Sequence, residues 1–151
     1  MEASVRHTIR HQVAIDHVLA VAHSRQPVQQ SEWETYLALI RKTLEREGRA
    51  AVLVSASGEG GPDVNQRASL SALAEFGEVR MAVLTDSAFL RGAVTALKWM
   101  NTIEVQVFEP GQEGNAIEYL EITPQQAGRA LALMHQLAAR CERELVEPGL
   151  V

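Results

Sequence analysis

The sequence predicts an α/β domain: a mixed sheet of about five strands, opened by an antiparallel hairpin and continued by parallel βα units, with flanking helices and a long C-terminal helix. Three observations carry this reading. Residues 5–15 alternate with period two, the signature of a strand. Short runs that are apolar on both sides recur at 50–54, 79–84 and 103–108, as buried parallel strands should. Between and after them, apolar residues recur with helical spacing.

The elements follow in order. In the first strand Val5, His7, Ile9, His11, Val13 and Ile15 face one way, and Arg6, Thr8, Arg10, Gln12 and Ala14 face a wet side. Asp16-His17 is a tight turn, and Val18–His23 returns as the second strand. Ser24–Gln30, with Pro27, is a loop. Ser31-Glu32-Trp33-Glu34 has the form of a capping box. The helix it opens presents Trp33, Tyr36, Leu37, Ile40 and Leu44 on one face and stops at Gly48. A strand over Ala50–Val54 leads into the glycine-rich loop Ser55–Gly61, and Pro62 fits the first position of a helix reaching about Phe76.

Val79–Leu84 is the next strand. Asp86 or Ser87 caps a helix whose apolar face is Phe89, Leu90, Ala93, Val94, Leu97 and Met100. Ile103–Phe108 is the last strand, closed by Pro110-Gly111, and Gly114–Leu120 is a short helix. Thr123-Pro124-Gln125-Gln126 is a second capping box with proline at the first helical position. Its helix runs to about Val146 with a stripe of Ala127, Ala130, Leu131, Met134, Leu137, Ala138, Cys141 and Leu145, close to a heptad seam. The organisation is therefore an α/β domain over 1–123 and a terminal helix over 124–151 that packs on it or extends it.

Composition narrows the function classes. The chain has 151 residues, enough for one core without staples, and a net charge of −5. It has no basic run, so a nucleic-acid partner is not expected, although a local basic pocket is compatible with this balance. A single cysteine, Cys141, excludes an intrachain disulfide and suits a reducing compartment. No apolar run approaches a membrane span and no signal peptide is visible, so a cytoplasmic protein is expected.

The order and the residues resemble the STAS-like proteins, and more narrowly the bacterial SpoIIAA-like (STAS/SEC14-type) group. The two-strand start, EWETYLALIRKTL, AAVLV, a glycine-rich loop with PDVNQR, VRMAVLTDSAFLRGAVTALKWMN and IEVQVFEP carry the resemblance over roughly residues 5–122. The TDS…RG…VTAL.W.N string is its most specific part. The resemblance implies a regulatory or ligand-sensing module rather than chemistry. In anti-sigma-factor antagonists an Asp-Ser-Ser-Gly loop after the third strand holds a serine phosphorylated by a partner kinase. The matching place here is Ser55-Ala56-Ser57-Gly58; the acidic residue and first serine are absent, and Ser57 is the one residue carried over.

Candidate sites lie beyond the carboxyl ends of the parallel strands. Ser55, Ser57, Gly58 and Gly60 form a candidate phosphorylation or anion-binding loop, but Glu59 and Asp63 add negative charge and there is no P-loop lysine. Thr85, Asp86 and Ser87 form the corner at the next strand end, joined by Arg91 in the following helix and by Trp99 on its flank as candidate ligand or partner contacts. His7 and His11 share a strand face but stand about 13 Å apart, too far for one zinc. No metal, cofactor or catalytic residue is assigned: no nucleophile motif and no acid–base constellation can be assembled from spacing. Two functions remain. One is a non-enzymatic regulatory module that binds another protein or self-associates as a homo-oligomer. The alternative is a small-ligand (anion, nucleotide or lipid) binder at the corner formed by 55–61 and 85–91.

Overall fold

The computed structural model describes residues 7–56, 61–88 and 103–146. Five strands form one sheet in the order β1-β2-β3-β4-β5: Ile9–Ile15, Val18–His23, Arg49–Ala56, Glu78–Leu84 and Glu104–Phe108. β1 and β2 are antiparallel, and β2 through β5 run parallel. The predicted mixed sheet with flanking helices is therefore observed. The hairpin turns at Asp16, whose φ of 53° is a left-handed conformation that Asp tolerates better than most residues. The β1–β2 register shifts between Val13 and Ile15, a bulge that leaves Ala14 without a partner.

Among the described residues, four α-helices cover the sheet. Helices α1 (Gln30–Glu47) and α2 (Val64–Ala72, continued as a 3-10 turn over Leu73–Phe76) lie on one face. Helices α3 (Glu113–Leu120) and α4 (Pro124–Val146) lie on the other. The alternation of each strand sorts its side chains between them. Leu19, Val21, Val52, Val54, Met81 and Val83 meet Trp33, Tyr36, Ile40 and Leu44 of α1. Ala20, Ala22, Ala51 and Leu53 share a layer with Ala130, Met134, Leu137 and Cys141 of α4, and Ala82 and Leu84 with Ala116 and Leu120 of α3. The predicted stripe of α1 faces the core, and so does that of α4 from Ala130 to Cys141.

Several expectations are corrected. β1 was expected to keep one face wet, but α1 covers one side and α4 the other, so Val13 and Ala14 are both partly buried. The Ser31 capping box does not form: α1 begins at Gln30 with Gln29 as its cap residue and no side-chain cap bond. The entry is held from β1 instead. The Gln29 amide donates to Thr8 Oγ1 at 2.9 Å, while Thr35 Oγ1 donates to the Ser31 carbonyl at 3.1 Å. Pro62 is not the first helical residue of α2. Asp63 caps it, with Gln66 as reciprocal partner: Gln66 N–H donates to Asp63 Oδ1 at 2.8 Å and Asp63 N–H to Gln66 Oε1 at 2.9 Å. The second predicted box does form, through Thr123 and Gln126 at 2.9 and 3.1 Å.

Two glycines end elements where L-residues fit poorly. Gly48, at φ 81°, closes α1 with its amide on the Leu44 carbonyl. At Gly77, φ is 153° and an added Cβ would stand 2.6 Å from the Gly48 carbonyl oxygen. The entries to β3 and β4 are thereby butted together at the amino end of the parallel strands.

Candidate functional site

Two places concentrate polar groups: the carboxyl-end rim of the parallel strands, and the open edge of β1.

At the rim, Ser55 is not in a loop. β3 continues through Ala56, with Ser55 paired to Ala22 on one side and Leu84 on the other, so the glycine-rich connection starts later than expected. Ser55 is half-buried. Thr85 follows β4 directly. It is 1% exposed, its amide donates to the Phe108 carbonyl at 3.0 Å, and its hydroxyl accepts the Ser87 amide at 3.0 Å. Ser24, at the end of β2, is likewise engaged: its Oγ accepts the Gln26 amide at 3.0 Å. These hydroxyls close their own turns. Asp86 projects into solvent, and Ser87 is buried beside it. The structure thus brings Ser55, Thr85, Asp86 and Ser87 to adjacent strand ends. Ser57, Gly58, Gly60, Arg91 and Trp99, with the helix expected around the last two, lie outside the described residues.

The second place escaped the sequence reading. Glu32, in the first turn of α1, reaches across to the start of β1. Its Oε1 accepts the Thr8 hydroxyl at 2.6 Å and the Thr8 amide at 2.9 Å, and its Oε2 lies 2.9 Å from His7 Nδ1. Burial alone would raise this carboxyl, but the hydrogen bonds from Thr8 and His7 outweigh it and hold the group below the usual carboxylate range. Behind it runs an aromatic file: His11 to Tyr36 at 5.5 Å, Tyr36 to Trp33 at 5.1 Å, and Trp33 to His23 at 6.5 Å between ring centroids.

His23 is 8% exposed and its Nδ1 has no hydrogen-bond partner, as is also true of His11 Nδ1. Burial, then the neighbouring His11, pushes His23 down to about 4. Burial lowers His11 too, opposed by Glu32 and reinforced by His7. Around the β1 edge opens a groove of about 420 Å³, walled by His7, Arg10, His11 and Gln12 of the first strand segment, Glu32 of α1 and Arg140 of α4. Among the described residues no group of three or more His, Cys, Asp or Glu side chains could hold a metal.

The signal for this groove in the sequence is the shared face of His7 and His11. His23 joins them on that face because of the bulge at Ala14, and Arg140 arrives from α4, which is far away in sequence.

The profile of the SpoIIAA-like family matches residues 18–121, which span β2 through α3. The chain belongs to the SpoIIAA-like family. Neither a curated protein nor a solved structure matches it significantly. Membership makes it a STAS-type module, a class whose typical work is regulation through protein interaction. The match excludes all of β1 and all of α4, so the groove is built partly from segments outside the shared core. No helix among the described residues is long and apolar enough to cross a membrane.

Proposed function

We propose that this SpoIIAA-like chain is a non-catalytic regulatory module that acts by binding another protein at the carboxyl-end rim. One observation carries the reading. The rim hydroxyls of Ser24 and Thr85 are engaged by the amides of their own turns, while Asp86, the residue after Thr85, stands exposed. Groups satisfied in this way support a shaped, rigid surface better than a reacting centre, which needs a nucleophile and base in mutual reach. Half-buried Ser55 completes that surface, and its neighbour Ser57 is the residue through which a partner kinase would act if the family's switch operates here.

The test is capture of the partner from the source organism, followed by reconstitution from purified components. Asp86→Arg and Ser55→Glu reverse or add charge at the rim and are expected to weaken the reconstituted complex at least ~10-fold, on the scale of a desolvated interface contact. Circular dichroism checks that each variant remains folded. Unchanged affinity in both variants removes the rim from the interface. Light scattering at high concentration asks separately whether the partner is a second copy of the same chain, and a monomer there sinks that form of the proposal.

A further inference from the structure

Past the last strand, the carboxyl-end rim continues into a groove between β5 and α3. Its volume is about 470 Å³, within the roughly 300–1,000 Å³ of small-molecule sites. Gln106 and Phe108 line it from the strand, Asn115, Glu118 and Tyr119 from the helix, and Gln112 from the turn between them. The two elements set these positions. Gln106 lies two residues before Phe108, whose side chain packs in the α3 layer, so both share that face of β5. Asn115, Glu118 and Tyr119 recur at i, i+3 and i+4 and share one side of α3. The carboxyl end of a parallel strand is also where open α/β sheets hold ligands.

The chemistry of the groove excludes an anion. Among the described residues lining it there is no cation, and Glu118 is a carboxylate. Arg80 stands 5.2 Å from the Tyr119 ring centroid, but it donates to the Tyr119 carbonyl at 3.0 Å and is shared by Glu104 and Glu121 at 3.9 and 3.8 Å. What the groove offers is uncharged hydrogen bonding. Among the described residues, no hydrogen bond or ion pair engages the side chains of Gln106, Asn115 and Glu118 or the Tyr119 hydroxyl. Gln112 is oriented by its own turn: its Oε1 accepts the Glu109 amide at 2.9 Å, which leaves both Nε2–H donors unused. Tyr119 is fixed against Phe108, with ring centroids 6.0 Å apart and a tilt of 57°. Burial, then Glu104, raises its phenol above the ordinary value against the opposing effect of Arg80, so the hydroxyl keeps its proton and can both donate and accept.

The geometry points to a neutral polyhydroxylated ligand, a sugar, bound in this groove with its hydroxyls on Gln106, Gln112, Asn115 and Glu118 and its C–H face against the Phe108–Tyr119 corner. Every sugar hydroxyl donates and accepts, as do the carboxamides, and a planar carboxamide or carboxylate can take two neighbouring hydroxyls at once. The site uses none of Ser24, Ser55, Thr85 or Asp86 and does not rest on the protein-binding reading given above. It does adjoin the rim, because the Phe108 carbonyl accepts the Thr85 amide at 3.0 Å.

The experiment is an NMR titration of the side-chain amide resonances of the 15N-labelled 151-residue chain with D-glucose, D-galactose and D-ribose in separate arms, and with cyclohexanol and choline as comparison arms. Saturable shifts of Gln106, Gln112 and Asn115 with at least one sugar, absent at Asn65 on the opposite face of the sheet and not reproduced by cyclohexanol, support the proposal. Asn115→Ala and Glu118→Gln, both exposed changes checked for fold by circular dichroism, are each expected to weaken sugar binding ~10-fold or more, the scale on which a site built for hydroxyls loses an unmatched partner. Asp86→Arg and Ser55→Glu are expected to leave it unchanged, so failure at the rim and failure here are read separately. Shifts that stay linear with every sugar, or that cyclohexanol matches, overturn the proposal. So does saturation by choline alone, which would make the groove a cation site, and so does binding by both groove variants as tight as that of the parent chain.

Discussion

The two faces of the sheet are packed by different rules. On the α1 face, large side chains fill the space and bring polar atoms with them. Trp33 is 1% exposed and donates its Nε1–H to the Gln66 carbonyl at 3.0 Å, and Gln66 Nε2 donates onward to the Val28 carbonyl at 3.0 Å. Buried His23 stands in the same layer. On the α4 face the sheet offers small residues: Ala20, Ala22 and Ala51 share a layer with Ala130 and Ala138 of the helix. One layer is held by size and a few obligatory hydrogen bonds, the other by close approach. The first should fail by losing atoms and the second by gaining them.

The largest expected effect is on the first layer. Trp33→Ala removes a fully buried indole and strands the Gln66 carbonyl; a loss of ~3–5 kcal/mol by urea unfolding is expected. A loss under ~1 kcal/mol would mean that the layer collapses to fill the gap. Next comes acid. An unfolded histidine titrates near 6.5, whereas His23 in the fold holds out to about 4. Between those values only the unfolded chain takes the proton, so this contribution is intact above pH 6.5 and drains away as pH falls toward 4, by roughly 3 kcal/mol in all. The lowered His11, His17 and Glu32 act with the same sign. His23→Leu, which also removes an unpartnered buried nitrogen, should flatten the stability–pH curve in that window; a curve of unchanged slope would assign the acid sensitivity elsewhere.

On the second layer, Ala130→Leu inserts atoms where the parent residue has no exposure, and should cost ~1–3 kcal/mol through overpacking. A neutral result would reveal slack between α4 and the sheet. The smallest effect is at the helix entry. Thr123→Ala deletes the Oγ1 that accepts the Gln126 amide, for a loss of about 1 kcal/mol in thermal unfolding.

The legible parts of this protein were those in which local chemistry and tertiary structure agree. The stripes of α1 and α4, the Gly48 stop, the Thr123 cap and the doubly apolar strands each follow from a periodicity or a backbone preference within a few residues. The misreadings arose where a distant group intervened. Ser31 lost its cap role because Thr8, from another element, holds the entry to α1. Pro62 was displaced because Asp63 and Gln66 form a better reciprocal cap one residue later.

The histidine groove was hidden by a single residue. With an unbulged two-residue hairpin His23, on the α1 face of β2, would lie opposite Arg10, and His11 would point to the α4 side. The bulge at Ala14 sets Ile9 opposite His23 and brings His11 onto the face of His23. A one-residue slip of this kind has no sequence signal when the turn lacks glycine. Ser55 and Thr85 stand at adjacent strand ends, but burial of Thr85 and extension of β3 through Ser55 depend on pairing with Phe108, Ala22 and Leu84 that no local pattern displays.

The strand order also sets a timetable for synthesis. Every hydrogen-bonded strand pair joins neighbours in sequence, so the sheet can be laid down in the order in which it leaves the ribosome. The exception is α4: the last element returns to the first two strands, closing over Ala20 and Ala22 with Cys141 Sγ 3.8 Å from the Ala22 carbonyl and Gln126 reaching Asp16 in the hairpin turn. Until that helix is released, a nascent chain presents an uncovered alanine face. The helix over Pro124–Val146 therefore covers this face only after β1 and β2 have been made, and a chain truncated before Pro124 should bind a holding chaperone more than the 151-residue chain does.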